Sequence, residues 1–209
     1  MKRNTIRTIC CLLATVLLTG CSGSLVHLEY KDGQMINKRL GLVYDPAPTN
    51  YEPVSVGEAY GYYSDMDMTL YQIAGLDPKE WLTQAYAGSA TTIFHSEDIP
   101  LPTLAEMAPT KIHICTGDNI TYGVGTVDDS AVVADVVELY TNGEATEWPM
   151  LDSLETYELK FVSPTYSHIY YNLTYYEYAE GVYLYDRNSK RCVEIGDMLE
   201  NWIPNDWEG

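Results

Sequence analysis

The chain has 209 residues, 46% of them hydrophobic and 20% charged, and its formal net charge is −18 at pH 7. This length suits one domain of common size, and the apolar content is enough for a buried core, which excludes a disordered stalk. The acidic excess repels nucleic acid and anionic headgroups, so we expect no nucleic-acid partner.

The N-terminus has the order of an export signal. Lys2, Arg3 and Arg7 precede a run of low polarity over residues 9–18, and a charged start followed by an apolar run is typical of a signal peptide. The ten residues of this run are too few to cross a bilayer, because a transmembrane helix needs about 20 apolar residues. We therefore expect residues 1–20 to be removed after export.

The end of this segment reads Leu18-Thr19-Gly20-Cys21. It resembles the lipobox of bacterial lipoproteins, in which a hydrophobic residue and two small residues precede a cysteine. The resemblance covers residues 1–21. It implies that the chain is cut before Cys21, that the Cys21 thiol carries diacylglycerol, and that residues 21–24 form a lipid-anchored tether.

The same resemblance implies a location. A lipoprotein is held at the cell envelope, outside the cytoplasmic membrane, by the lipid on Cys21. In a bacterium with two membranes, Ser22 after the cysteine favours the outer membrane. The rest of the chain is similar in general character to other small lipoproteins, and that likeness implies no particular activity.

Cleavage makes the protein more acidic. The signal contains three of the twelve basic residues and none of the thirty acidic ones, so nine bases remain against thirty acids and the mature net charge is −21. Such a charge favours solubility in a crowded envelope, and it also suits cationic partners.

Few cysteines remain in the mature chain. Cys10 and Cys11 leave with the signal and Cys21 takes the lipid, so only Cys115 and Cys192 belong to the folded part. An exported protein can pair two such cysteines if their Cα atoms lie within about 7 Å. Two separate buried thiols are the other alternative, and the sequence leaves both open.

The first half of residues 25–209, which we expect to form one domain, has the alternation and turn residues of β-hairpins. Residues 45–53 and 99–110 are expected to be loops, the second with at most one helical turn, and residues 117–125 a turn and loop. The predicted strands in this half are Leu25–Tyr30, Met35–Tyr44, Met68–Ile73, Trp81–Tyr86, Thr91–His95 and Lys111–Cys115.

One long helix is predicted over Ser130–Thr141. Asp128 or Asp129 can cap its first turn, and Asn142-Gly143 supplies a left-handed stop. Its apolar stripe needs a sheet to cover; the stripe consists of Val132, Val133, Val136, Val137 and Tyr140.

Strands are predicted over residues 157–162, 169–178, 182–186 and 191–195, followed by a short helix near Asp197–Trp202. Strands, one main helix and then a strand meander indicate an α+β fold, mostly an antiparallel sheet with hairpins.

The stretch Tyr170–Asp186 contains seven tyrosines, and strand register divides them. A four-residue turn over residues 178–181 pairs Tyr175 with Leu184, and the next turn places Leu184 opposite Val193. In this register Tyr178 falls in the turn. The residues then expected in the core are Ile169, Tyr171, Leu173, Tyr175, Val182, Leu184, Val193 and Ile195.

The opposite face carries Tyr170, Tyr176, Tyr183 and Tyr185, with Cys192 and Glu194. These four tyrosines are the candidate binding residues, because a tyrosine offers a flat apolar ring and a polar hydroxyl to a sugar, a peptide or a partner protein. Two purely structural roles for the same rings stay open. Cross-strand aromatic pairs stabilise sheets, and the N-terminal hairpins could cover this face.

Catalytic signals are weak. His113 and Cys115 face the same way on one strand but have no third partner in sight, and His95 lies beside acidic residues that point elsewhere. No cofactor or metal site is expected. The sequence thus predicts a non-catalytic binding or accessory protein with an envelope protein, peptide or glycan as partner. The alternative is an envelope hydrolase with a loop-built site, for which His95, His113, Cys115 and acidic residues are the candidates.

Overall fold

The computed structural model describes residues 25–86, 89–117, 121–149 and 153–204. The signal peptide, the lipobox, Cys21 and the tether lie outside the described residues. The strands in chain order are β1 (Val26–His27), β2 (Glu29–Lys31), β3 (Gln34–Asn37), β4 (Leu42–Pro46), β5 (Tyr51–Pro53), β6 (Val56–Tyr63), β7 (Met68–Ile73), β8 (Trp81–Tyr86), β9 (Ser89–Ser96), β10 (Lys111–Thr116), β11 (Tyr122–Val127), β12 (Glu155–Val162), β13 (Ile169–Tyr178), β14 (Gly181–Tyr185) and β15 (Cys192–Glu194).

Among the described residues, two α-helices accompany these strands, α1 (Leu104–Met107) and α2 (Ser130–Asn142). The fold is therefore mostly β-sheet with two helices, as expected for an α+β protein. Within the described ranges, no helix is long and apolar enough to cross a membrane.

The first sheet curls almost into a barrel. Its order is β1-β6-β7-β8-β9-β4-β3-β2, and Leu28 alone separates the two end strands in the chain. Gly61 of β6 lets the Leu28 side chain pack directly against the backbone of β6, since a Cβ at position 61 would lie 2.7 Å from Leu28 Cδ1. The interior is filled by Leu28, Met35, Tyr44, Tyr63, Leu70, Leu82 and Phe94.

The second sheet has the order β11-β10-β12-β13-β14-β15. Helix α2 covers one face, and the buried Val133, Val136 and Tyr140 join the main core there. Asp129 caps the helix by accepting hydrogen bonds from the Ala131 and Val132 amides. We call the opposite face of this sheet the outer face.

The end of α2 differs from the prediction. Gly143 is extended (φ −64°, ψ 160°) and not left-handed. Arg191 caps the helix instead, donating from Nε to the Tyr140 carbonyl at 2.8 Å and from Nη2 to the Gly143 carbonyl at 2.6 Å. A cation at a helix C-terminus satisfies the free carbonyls and the helix dipole together, so no left-handed glycine is needed.

Several other predictions are wrong in detail. The predicted loop over residues 45–53 contains β5, and the predicted strand Leu25–Tyr30 is divided at Leu28 into β1 and β2. The predicted short C-terminal helix near Asp197–Trp202 is a run of turns, and the predicted strand Met35–Tyr44 is interrupted by a turn at residues 38–41. The predicted loop over residues 117–125 contains most of β11. Its glycines hide the strand pattern, because glycine weakens any strand signal.

The two sheets meet along β13. The first residues of β13 pair with β5, the strand that follows β4 of the first sheet in the chain. The later residues of β13 pair with β14. Ile169 packs with Trp81, Ile73 and Ile93 of the first sheet. Asn172 lies between the residues of β13 that pair with β5 and those that pair with β14. Its backbone amide donates to the backbone carbonyl of Asn50 at 2.7 Å. The change of partner leaves a gap beside Asn172 at the outer face.

Candidate functional site

The register predicted for the tyrosine-rich hairpin is confirmed. Tyr175 pairs with Leu184, and Leu184 pairs with Val193. Most of the predicted core residues lie in the core beneath α2, with Val182 half-buried at its margin. Ile169 is buried too, but against the first sheet.

Tyr178 does not lie in the turn. It is the last residue of β13, pairs with Gly181, and is 4% exposed. The ladder is one pair longer than predicted, so the turn consists of Ala179 and Glu180. Tyr178 therefore belongs to the outer face with the candidate tyrosines.

The outer face carries a compact aromatic cluster near this turn. Tyr183 and Tyr185 are buried and Tyr176 is half-buried, and Cys192 packs among them. The rings of Tyr176 and Tyr178 stack with centroids 5.9 Å apart. Three of the four predicted binding tyrosines thus lie together, largely shielded from solvent.

Trp148 covers this cluster, and the sequence did not single it out. Its ring stacks on Tyr185 with centroids 4.8 Å apart and an angle of 20°, and its Nε1 donates to the Tyr178 hydroxyl at 2.9 Å. The segment after α2 is held to β15 by the Thr146 amide, which donates to the Cys192 carbonyl. With one ring face against Tyr185, Trp148 remains 39% exposed.

Tyr170 lies apart from the other three. It is at the start of β13, where its ring is 6.1 Å from that of His113 in an edge arrangement. Lys160 Nζ lies 6.0 Å from the Tyr170 ring centroid, within reach of a cation–π contact. The candidate tyrosines therefore flank a charged centre and do not form one continuous row.

The charged centre beside Tyr170 consists of Glu52, Glu158, Lys160 and Asn172. We call these four residues the polar network. Lys160 Nζ donates to both oxygens of Glu52 at 2.8 and 2.7 Å and lies 3.8 Å from Glu158. Lys160 is 8% exposed, so its charge depends on these two carboxylates.

Burial and charge act against each other in this network. Burial alone would lower the pKa of Lys160, but its hydrogen bonds to Glu52 and the charges of both carboxylates outweigh burial and raise the pKa. Burial raises the pKa of Glu158, and Lys160 and Arg187 lower it in part. The lysine is thus held charged while Glu158 is a weaker acid than usual.

Asn172 leaves one polar atom unpaired. Its Nδ2 donates to Glu52 at 2.8 Å and to Glu158 at 3.2 Å. An ionised carboxylate only accepts, so this arrangement fixes which end of the amide faces the network. Oδ1 points elsewhere, is fully buried, and has no hydrogen-bond partner among the described residues. An unpaired buried acceptor costs about 1–3 kcal/mol.

A cleft lies at the gap where β13 changes partner. Its volume is about 80 Å³, and Asn172 and Glu158 of the polar network form part of its wall. The turn after β14 supplies Arg187 and Asn188 to the wall of the cleft. The side-chain Nδ2 of Asn188 donates to Asn50 Oδ1 across the gap at 3.0 Å. Tyr185 also lines the cleft, so the cleft adjoins the aromatic cluster.

The two remaining cysteines are free and buried. Cys115 on β10 and Cys192 on β15 are four strand spacings apart in the sheet, which is about 19 Å at the usual spacing and too far for a disulfide. Burial raises the pKa of both thiols, which disfavours the thiolate that a nucleophile needs.

The histidines have structural partners. His113 and Cys115 share the outer face as predicted, but His113 Nδ1 contacts Thr126 at 3.3 Å, and burial and the nearby lysines lower its pKa. His95 Nδ1 lies 2.9 Å from the Ile99 carbonyl, an acceptor, so Nδ1 carries the proton. In the part of the chain that the structure describes, no three His, Cys, Asp or Glu side chains could hold a metal ion.

No protein-family profile matches this sequence, and neither a curated protein nor a solved structure matches it. The chemistry of the outer face is therefore interpreted from its own geometry.

Proposed function

We propose that this protein is a membrane-anchored bacterial lipoprotein of the cell envelope, and that its folded part is a non-catalytic binding or accessory protein. The observation that carries the anchor is Leu18-Thr19-Gly20-Cys21 directly after a charged and apolar leader. Each buried lipid CH₂ contributes about 0.8 kcal/mol, and two acyl chains hold a protein stably on a membrane.

The binding role is supported by the outer face of the second sheet. There a small cleft, a polar network and the exposed ring of Trp148 adjoin one another through Tyr185. Ligand sites combine a concave apolar wall with a few placed polar groups. The hydrolase alternative is less favoured, because the raised pKa of Cys115 and the bond of His113 to Thr126 do not activate a nucleophile.

The envelope location predicts how protease reaches the protein. When cells are treated so that protease enters the envelope but not the cytoplasm, we expect residues 25–204 to be degraded while a cytoplasmic marker survives. Immunoblotting of both proteins over time measures this. Protection of the protein until the cytoplasmic membrane is lysed would contradict the proposed location.

A further inference from the structure

We propose that one end of the first sheet rests on the membrane surface, with anionic phospholipid headgroups as its partner. The contact residues are Leu25, Lys38, Arg39 and Leu40, which we call the anchor end. This inference rests on the proposed function, since it takes the lipid on Cys21 as given, and it adds how the folded part is oriented on the membrane.

The anchor end is a single location in the fold. β1 is parallel to β6, and six antiparallel pairs lead from β6 round to β2. β1 and β2 therefore run in the same direction on either side of Leu28, and the start of β1 lies at the same end of the sheet as the end of β3. Leu25 directly precedes β1, and residues 38–41 form the turn directly after β3.

The predicted tether holds this end close to the membrane. Only residues 21–24 precede Leu25 in the mature chain, and a fully extended chain of four residues spans at most about 14 Å. A folded domain of about 180 residues has a radius of gyration of about 16 Å. An anchored Cys21 thus keeps Leu25 nearer to the headgroups than the domain is wide, so the anchor end faces the bilayer.

The turn presents its side chains from a fixed backbone. Asn37 is fully buried at its start, where Nδ2 donates to the Tyr60 hydroxyl at 3.1 Å and Oδ1 accepts from the Leu40 amide at 3.2 Å. Leu40 remains 49% exposed and Leu25 44%. Single exposed leucines are ordinary, but these two lie where the membrane interface takes up apolar side chains.

Charge is distributed unevenly between the anchor end and the remainder of the chain. Residues 25–44 contain three bases and two acids, a net charge of +1, whereas residues 45–209 contain six bases and 28 acids, a net charge of −22. An anionic surface attracts the first segment and repels the second. The asymmetry therefore turns the anchor end toward the membrane and the second sheet away from it.

Arg39 is the cation available to the headgroups. Lys38 Nζ lies 2.7 Å from Glu29, whereas Arg39 is exposed and makes no hydrogen bond or ion pair to the described residues. The nearest acidic side chains outside this segment are Glu97 and Asp98, which follow β9 on the far side of β4. The contact is therefore centred on the side of the turn that is nearer to Leu25.

The test measures how close two labelled positions lie to the lipid headgroups. Lipidated protein from the membrane fraction, carrying pyrene on Leu40→Cys or on Met66→Cys, is reconstituted into vesicles of phosphatidylcholine and phosphatidylglycerol with a headgroup nitroxide as quencher. Cys115 and Cys192 are buried, so unaltered protein gives the labelling background. We expect strong quenching at position 40, and weaker quenching at both positions when phosphatidylglycerol is omitted.

Met66 is the matched position at the opposite end. It is an apolar residue, 65% exposed, in the turn that follows β6. Because β1 is parallel to β6 and Val26 pairs with Gly61, the end of β6 points away from Leu25. The label at position 66 should therefore be quenched little.

Two arginine variants test the charge. A base near an anionic surface contributes about a fivefold preference, so Arg39→Gln should lower the ratio of membrane-bound to free label at position 40 about fivefold. Arg187 is likewise exposed but lies on the second sheet, so Arg187→Gln should leave the ratio unchanged. Circular dichroism verifies the fold of each variant.

Equal quenching at positions 40 and 66 would overturn the inference. So would quenching at position 40 that is unaffected by omitting phosphatidylglycerol or by Arg39→Gln. Pyrene excimer emission in place of quenching would show contact between two copies and would overturn it too. The mass of the Cys21 peptide from the same preparation separates the two proposals: with the lipid present, such results leave the proposed function standing, and with the lipid absent, both fail.

Discussion

Replacing Lys160 by methionine should lower the free energy of unfolding by about 3 kcal/mol. Lys160 is buried and its single positive charge is shared by Glu52 and Glu158, and removing one partner of a buried ion pair costs about 3–5 kcal/mol because the other charge is left uncompensated. The lower end applies, since the Glu52 and Glu158 side chains keep 28% and 38% exposure. Urea unfolding at neutral pH measures the loss.

The free energy of unfolding that Lys160→Met loses should depend on pH, because the charge of Glu158 depends on pH. Burial already raises the pKa of Glu158 above its ordinary 4.5, and removing the lysine raises it further. A group whose pKa is higher in the folded state contributes stability below its unfolded pKa, and this contribution is lost as pH rises through the folded pKa. The cost of Lys160→Met should therefore be smaller near pH 4 than at pH 7.

Two further variants separate charge from packing. Adding Glu52→Gln and Glu158→Gln to Lys160→Met removes the uncompensated charges and should restore most of the stability. Lys111→Met alters a lysine on the same face of the sheet that is only half-buried, and it should change stability by less than about 0.5 kcal/mol. Equal effects of Lys160→Met and Lys111→Met would show that the polar network contributes little.

Replacing Cys21 by alanine should move the protein from the membrane fraction to the soluble fraction almost completely. The predicted anchor is the lipid on that thiol, and without it the apolar run over residues 9–18 is too short to span the bilayer. Fractionation with immunoblotting, together with partition into a detergent phase, measures the change.

The signal segment offers a matched control. Cys11→Ala alters another cysteine of the same leader but leaves Leu18-Thr19-Gly20-Cys21 intact, so that variant should stay in the membrane fraction. Retention of Cys21→Ala on the membrane, to the same degree as Cys11→Ala, would contradict the anchor.

Local signals explain which parts of the fold were predictable. Helix α2 was correctly placed because its apolar stripe and its cap at Asp129 lie within one short window. The register of β13 to β15 followed from the alternation of side chains between the two faces of each strand, since a shift of one residue would expose Leu184 and Val193. Strand β6 was missed, because Gly57 and Gly61 interrupt its pattern and two bulges bend it.

The candidate site was predictable only in part. The alternation of side chains along the strands placed four tyrosines on the outer face, but Trp148, whose ring contacts Tyr176 and Tyr185, lies in a loop with no periodic signal. The polar network joins Lys160 to Glu52, which are 108 residues apart, through the pairing of β5 with β13. A charged residue on a strand is usually solvent-facing, so nothing in its neighbourhood along the chain indicates that Lys160 is buried. Such long-range pairings lie outside any local window.

Mass spectrometry of the N-terminal peptide, taken from protein purified from the membrane fraction, tests whether Cys21 carries the lipid anchor. We expect a mature chain that begins at Cys21 and whose cysteine carries the added mass of diacylglycerol. A chain that begins elsewhere, or that begins at Cys21 with an unmodified thiol, would contradict it.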